Sequence, residues 1–281
     1  MATIAGTALT LRPTGSVRFL NATATLLAAT VWLSAALFGL YILAFFGGFA
    51  AAGAPERWNE SLPALHDPAN LLSTVAIGAH FITGGILLLL GPVQLIGAIR
   101  RNTPAVHRWL GRLYVFAAAI AGAGGLTFIL TKGTIGGAPM DLGFGLYGAL
   151  MVACAALTYV HARARRIEIH RAWAVRLFAL AVGSWLYRIE YGFWFLAVGK
   201  LGHTSQFSGW FDEVMAFFFY VPNLLVAEAW LRARLAPQGS ALRFGAAVLL
   251  LAATGFVALA TFFFTKFWLP GIAEGLGAVR A

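Results

Sequence analysis

Long, uninterrupted apolar runs constrain this chain more than any other feature. A helix crosses the hydrocarbon core of a bilayer with about 20 apolar residues. Runs of that order extend approximately from Leu20 to Phe49, Leu71 to Ile99, Trp109 to Thr131, Leu142 to Val160, Trp173 to Val198, Val214 to Leu231 and Phe244 to Phe267. Inside lipid, only helices and closed barrels satisfy every backbone polar group. The runs are continuous and do not alternate, which selects helices. Composition agrees: 60% of the 281 residues are hydrophobic and 11% charged, whereas a soluble domain carries roughly a quarter charged residues. The expected fold class is an all-α integral membrane protein of about seven transmembrane helices, a single membrane domain over residues 1–281.

The net charge of +10 does not require nucleic acid, because Lys and Arg accumulate in cytoplasmic loops during insertion. Alternate connections carry Arg12 and Arg18; Arg100, Arg101, Arg108 and Arg112; Arg163, Arg165, Arg166 and Arg171; then Arg232, Arg234 and Arg243. The opposite connections carry few cations and most of the acids, among them Glu56, Glu60, Asp67, Asp141, Asp212 and Glu213. This asymmetry predicts an N-terminus (residues 1–19) on the cytoplasmic side and a C-terminus outside. The first ten residues are expected to be disordered. A secretory signal has an apolar region of only about 7–15 residues; the first run is longer, so a retained helix is favoured over cleavage, which would leave six. The single cysteine, Cys154, permits no intrachain disulfide.

The connection Arg100 to Val115 holds His107-Arg108 where the third run begins, and a second version follows from Arg165, with His170-Arg171. Both end hairpins of the same orientation, the pattern of a parallel repeat. A four-helix core of helices two to five is expected, with helices one, six and seven around it. Topology needs arginines here but not histidines. The repeat places His107 and His170 at equivalent points, and two facing histidines suit the axial positions of a b-type haem. Arg108 and Arg112, with Arg100, Arg101, Arg163, Arg165 and Arg166, are placed to meet anionic lipid headgroups. Tyr114 lies within a turn of Arg112, and Thr103 is placed to cap the third helix. Gly91-Pro92 is expected to bend the second helix, and Trp58 to rest at the outer interface.

Ionisable residues at membrane depth mark functional sites by default. His80 is one, with Gly84 on its face and Gly124 and Gly125 in the next helix; with these Gly-rich helices it is also a candidate cofactor-binding residue, part of a second site nearer the outside. The fifth helix holds Arg176, Arg188 and Glu190. Arg188 and Glu190 are about 200° apart on a helix and do not face each other; counting turns puts both at the level of His80. Arg176 matches the depth of Glu228, which predicts a salt bridge. Pro222 and Asn223 sit at mid-depth in the sixth helix, and the loop from Lys200 to Asp212 is placed to cover the outer site.

The combination of His80, Gly91-Pro92-x-Gln94, Arg-x-x-x-Pro-x-x-His107-Arg108-x-x-Gly111-Arg-x-Tyr114, His170-x-x-Trp173-x-x-Arg176 and Arg188 resembles the bacterial family of multi-pass membrane proteins known as domain of unknown function 2306. The resemblance covers roughly Leu71 to Glu190 in an expected core of residues 71–198, with residues 199–281 as additional helices and tail. The chain departs from the pattern at Ala174-Val175, where Met before the Arg is expected. The resemblance implies membrane location and site positions His80, His107, Arg108, Gly111, Tyr114, His170, Arg176 and Arg188; it implies no reaction. Three functions stay open: a redox protein holding haem b for electron transfer, a small-ligand or proton-coupled transporter using Arg188, Glu190 and His80, and an accessory subunit with a membrane-protein partner. No nucleophile motif, phosphate-binding loop or metalloprotease motif is present, which argues against an ordinary hydrolase or kinase.

Overall fold

A computed structural model describes residues 15–237 and 240–280; Arg12 and the first ten residues lie outside the described residues. All regular structure in the described residues is helical. α1 (Gly15–Ile42) continues through a π-helical turn (Leu43–Gly47) into α2 (Gly48–Ala51). A 3-10 turn (Pro55–Glu60) precedes α3 (Leu71–Leu90). A second 3-10 turn (Pro92–Leu95) and the short α4 (Gly97–Asn102) lead to α5 (Pro104–Lys132), which turns into α6 (Gly137–Arg163). Then come α7 (Ile167–Ala181) and α8 (Gly183–Val198), α9 (Trp210–Phe218) and α10 (Val221–Leu235), and the long α11 (Ala241–Arg280). Among the described residues, six helical stretches are long and apolar enough to cross a membrane. The remaining expected span is α7 and α8, helices of 15 and 16 residues divided at Val182.

Local chemistry explains several of these limits. The Asn70 side chain caps α3 by accepting from the Ser73 amide at 3.0 Å. Gly133, at φ +80°, ends α5 in a conformation that a side chain would strain. Two expectations are corrected here. Gly91-Pro92 stops α3 rather than bending it: Pro92 has no N–H to continue the ladder, and Ile96 turns extended at ψ 105°. Thr103 precedes α5 without capping it, because its hydroxyl donates back to the Ile99 carbonyl at 3.1 Å.

The fifth span stands in the centre. Leu177, Leu180, Trp185 and Ile189 are 0% exposed. Trp185, Leu186 and Ile189 pack with Phe38 and Ile42 of α1, Ile77 and Phe81 of α3, and Val257 and Ala260 of α11. Leu177, Leu180 and Tyr191 pack with Tyr114 of α5, Tyr147 and Cys154 of α6, and Met215 of α9. Small residues set the helix spacing, as membrane packing requires. A Cβ at Gly122 of α5 would lie 2.9 Å from the Gly148 carbonyl of α6. Long apolar side chains such as Leu33 and Leu130 point outward, where lipid receives them.

The arginine-rich connections gather at one end of this bundle and most acids at the other. At the acidic end Lys132 donates to Asp67 at 2.7 Å, and Arg57 pairs with Glu60 and Glu274. Trp58 is buried against protein. It is 5% exposed, and its indole N–H donates to the Phe46 carbonyl at 2.9 Å. It packs on Gly78, where a Cβ would meet the ring at 2.9 Å, so it plugs the gap between the π-helical turn and α3.

Candidate functional site

The central span and the sixth span are both discontinuous, and their breaks touch. In an unbroken helix the Leu180 carbonyl would accept from the Ser184 amide. Instead the Tyr147 hydroxyl of α6 donates to Leu180 O at 2.9 Å, and Ser184 turns its own polar groups to Tyr147. An inserted side chain of this kind kinks a helix. In the sixth span α9 ends at Phe218 and α10 begins at Val221. Pro222 supplies no amide to the Phe218 carbonyl, and the Asn223 side chain donates to the neighbouring Phe219 carbonyl at 2.7 Å. A Cβ at Gly183 would lie 3.3 Å from Phe219 O, so the α7–α8 break rests directly on the α9–α10 break. The π-helical turn of the first span adds a third irregular segment. Irregular backbone at membrane depth is tolerated where protein or a cavity surrounds it.

Arg188 and Glu190 follow the break on α8. The Arg188 Nη1 donates to Ser184 O at 3.1 Å, and the guanidinium lies over Phe38 of α1, 5.0 Å from the ring centre. It has no carboxylate partner among the described residues. His80 is within Coulombic range of Arg188, so the structure brings these two together. The His80 Nδ1 is 2.8 Å from the Ala121 carbonyl of α5. Gly124 and Gly125 make this possible: a Cβ at Gly124 would lie 2.6 Å from Ala76 O, and one at Gly125 3.2 Å from the His80 ring. Glu190 stands apart. Its Oε2 is enclosed with no hydrogen-bond partner among the described residues.

At the arginine-rich end, His107 and His170 come within Coulombic range of each other. His170 Nδ1 is 3.0 Å from the Thr158 carbonyl of α6, while His107 Nδ1 is buried without a partner. The buried Tyr114 hydroxyl and Thr158 Oγ1, and the enclosed Gln94 Nε2, also lack partners among the described residues. Gln94 lies beside Gly111, where a Cβ would meet its Oε1 at 3.3 Å. Arg176 donates to Glu228 at 2.7 Å and lies 4.9 Å over Trp173; Glu228 also accepts from Arg232 at 3.0 Å. The expected Arg176–Glu228 pair is therefore present. Arg108 is exposed, and Arg112, also exposed, lies 5.0 Å over Trp109.

No group of three or more His, Cys, Asp or Glu among the described residues could hold a metal ion. A haem needs only two histidines, and a ligating His usually anchors its other ring nitrogen, as His170 does. Further along the same helices, however, Tyr114 of α5 and Leu177 of α7 pack with Cys154 and Ala155 of α6 in one buried cluster. These residues do not fit a haem enclosed between His107 and His170 in the bundle core.

One polar centre escapes a reading of spans. Asp212 is 0% exposed and fully satisfied. It accepts from Tyr191 Oη and His203 Nδ1, each at 2.7 Å, and from the amides of Thr204 and Gly209, each at 3.0 Å. This network fastens the loop of residues 199–209 onto the facing ends of α8 and α9. The available signal was an Asp at the third position of a helix, following a His-containing polar loop.

The family described as predicted membrane protein, DUF2306, matches residues 77–231. The chain belongs to this family, and the match contains both polar layers but neither α1 nor α11. No curated protein matches the chain, and no solved structure does.

Proposed function

We propose that this DUF2306 member is a carrier that couples a small ionic ligand to a proton in the bacterial inner membrane, N-terminus cytoplasmic. One observation carries this reading. Two discontinuous helices meet break to break, and Arg188 and Glu190, on the helix that follows the break, are part-buried without ion-pair partners among the described residues. Secondary transporters build their sites from such broken helices near the midplane, and unpaired intramembrane charges mark ion or proton paths. In this reading Arg188, with His80 beside it, faces the anionic group of the ligand. Glu190 takes up and releases the proton. Gln94, His107, Tyr114 and His170 form the polar entrance at the arginine-rich end, and Arg108 holds that end at the headgroups.

The test is proton flux in proteoliposomes loaded with a pH-sensitive dye, under an imposed pH gradient, with acetate, lactate or phosphate supplied outside. Anion-dependent acidification is expected with the unaltered protein. It should be lost in Arg188→Gln, and also in Glu190→Gln, whose side chain has no carboxylate to carry the proton. Vesicles no more permeable than protein-free controls with every anion would end the carrier reading. The electron-transfer reading rests on His107 and His170, with His80 as part of a second cofactor site. The purified protein is expected to be colourless, without split reduced bands of low-spin haem.

A further inference from the structure

A second polar site lies outside the family match, where α1, α10 and α11 meet at the arginine-rich end. Arg243, in the first turn of α11, is 8% exposed. Its Nε donates to the Ala233 carbonyl at 3.2 Å and its Nη2 to Ala236 O at 2.5 Å. Both acceptors are end carbonyls of α10, so the guanidinium caps that helix. Its Nη1 is buried with no hydrogen-bond partner among the described residues. Arg243 lines a cavity of about 110 Å³ with Arg234, Asn21, Val17 and Leu20. The same arginine lines a cleft of about 390 Å³ that carries Phe19 and Phe244.

The chain offers this buried cation no carboxylate. Of its ten acidic residues, only Glu168 and Glu228 lie at the arginine-rich end. Neither reaches Arg243: Glu228 is engaged with Arg176 at 2.7 Å and Arg232 at 3.0 Å, and Glu168 pairs with Arg171 at 3.1 Å and touches the cavity's second arginine, Arg234, only at 3.9 Å. Residues 1–14, 238 and 239 contain neither Asp nor Glu. A buried charge without a partner is costly, and this one opens onto a cavity that presents a second guanidinium and an amide. We infer that the cavity binds a phosphate-class anion, bidentate on Arg243 and Arg234, with Asn21 as a further donor. Guanidinium forks match phosphate geometry. The apolar wall of Val17 and Leu20, and the cleft with Phe19 and Phe244, are suited to the glycerol and acyl part of an anionic phospholipid. Free inorganic phosphate shares the headgroup chemistry. This site is independent of the carrier reading.

Native mass spectrometry of the full chain in detergent, titrated with phosphatidylglycerol or phosphatidylcholine, separates the sources when paired with thermal midpoints in inorganic phosphate. One tightly held phosphatidylglycerol, bound about tenfold or more above phosphatidylcholine, is the expected result. A phosphate-dependent midpoint shift without lipid selectivity would also support the site and assign it to free phosphate. Arg243→Gln removes a helix cap as well as a charge. Asn21→Asp keeps the cap and places a carboxylate in the cavity; it should fold normally and lose the anion about tenfold. Arg232→Gln, an exposed cation at the same end, should bind as the unaltered protein does. The inference is overturned if neither probe binds selectively, or if Asn21→Asp binds as before.

Discussion

Two enclosed carboxylates show how differently one residue type can be used in this chain. Asp212 has four donors and no exposure. Glu190 Oε2 has no partner among the described residues. Breaking a satisfied buried network leaves several donors unpaired, at about 1–3 kcal/mol each, whereas neutralising an unpaired carboxylate removes a desolvation cost. Asp212→Asn should therefore lower the thermal unfolding midpoint in detergent. Glu190→Gln should keep or raise it while altering proton flux. A Glu190→Gln midpoint several degrees below that of the unaltered protein would mean that the carboxylate has a structural partner. Asp67 supplies the pH dependence. Its hydrogen bond from Lys132, and then one from the Ala69 amide, hold its carboxyl below the ordinary carboxylate range. A depressed acid contributes stability that is present above its unfolded value and lost as pH falls through its folded value. The α3 and α5 outer ends should loosen only below about pH 4, seen as faster amide exchange near Asn70. The Asp67→Asn variant should show little of that change.

At the scale of elements, the break in the central span is a tertiary effect. Ala181-Val182-Gly183-Ser184 reads as apolar helix, with the Gly-Ser pair as the one local feature that weakens it. The cause is Tyr147, 33 residues from its acceptor Leu180. That separation is why the break was not legible, while Pro222 and Asn223 mark the partner break openly. His80, Arg188 and the Arg176–Glu228 pair were legible from depth alone, because 1.5 Å of rise per residue converts sequence position into level. Direction round the helix and the identity of each partner needed the packed bundle. Tyr147→Phe deletes the inserted hydroxyl and leaves Leu180 O and the Ser184 amide to each other. If the wedge maintains the break, this variant should protect the Ser184 amide from hydrogen exchange and impair flux, with stability changed by about 1 kcal/mol. Unchanged exchange at Ser184 would assign the break to the backbone itself.

Across the whole molecule, charge is sorted more strictly than the apolar pattern requires. Only Glu168 and Glu228 accompany the arginines at their end, and ion pairs engage both. The spans themselves were legible because hydrophobic length is a local property. The central place of α7 and α8 was not, because it depends on Gly and Ala contacts that sequence spacing does not rank. Sorting of this kind argues for orientation, since basic connections are retained on the cytoplasmic side. Accessibility of introduced cysteines tests it in a Cys154→Ser background, the native thiol being buried. Ser61 lies in the acidic-end connection and Ala164 in the basic turn between α6 and α7, and both are exposed. A membrane-impermeant maleimide added to bacterial cells with a permeabilised outer membrane should label Ser61→Cys at once. It should label Ala164→Cys only after the inner membrane is opened. The reverse order would invert the assignment and put the Arg243 cavity in the outer leaflet, so the same labelling decides which leaflet's phospholipids reach that cavity.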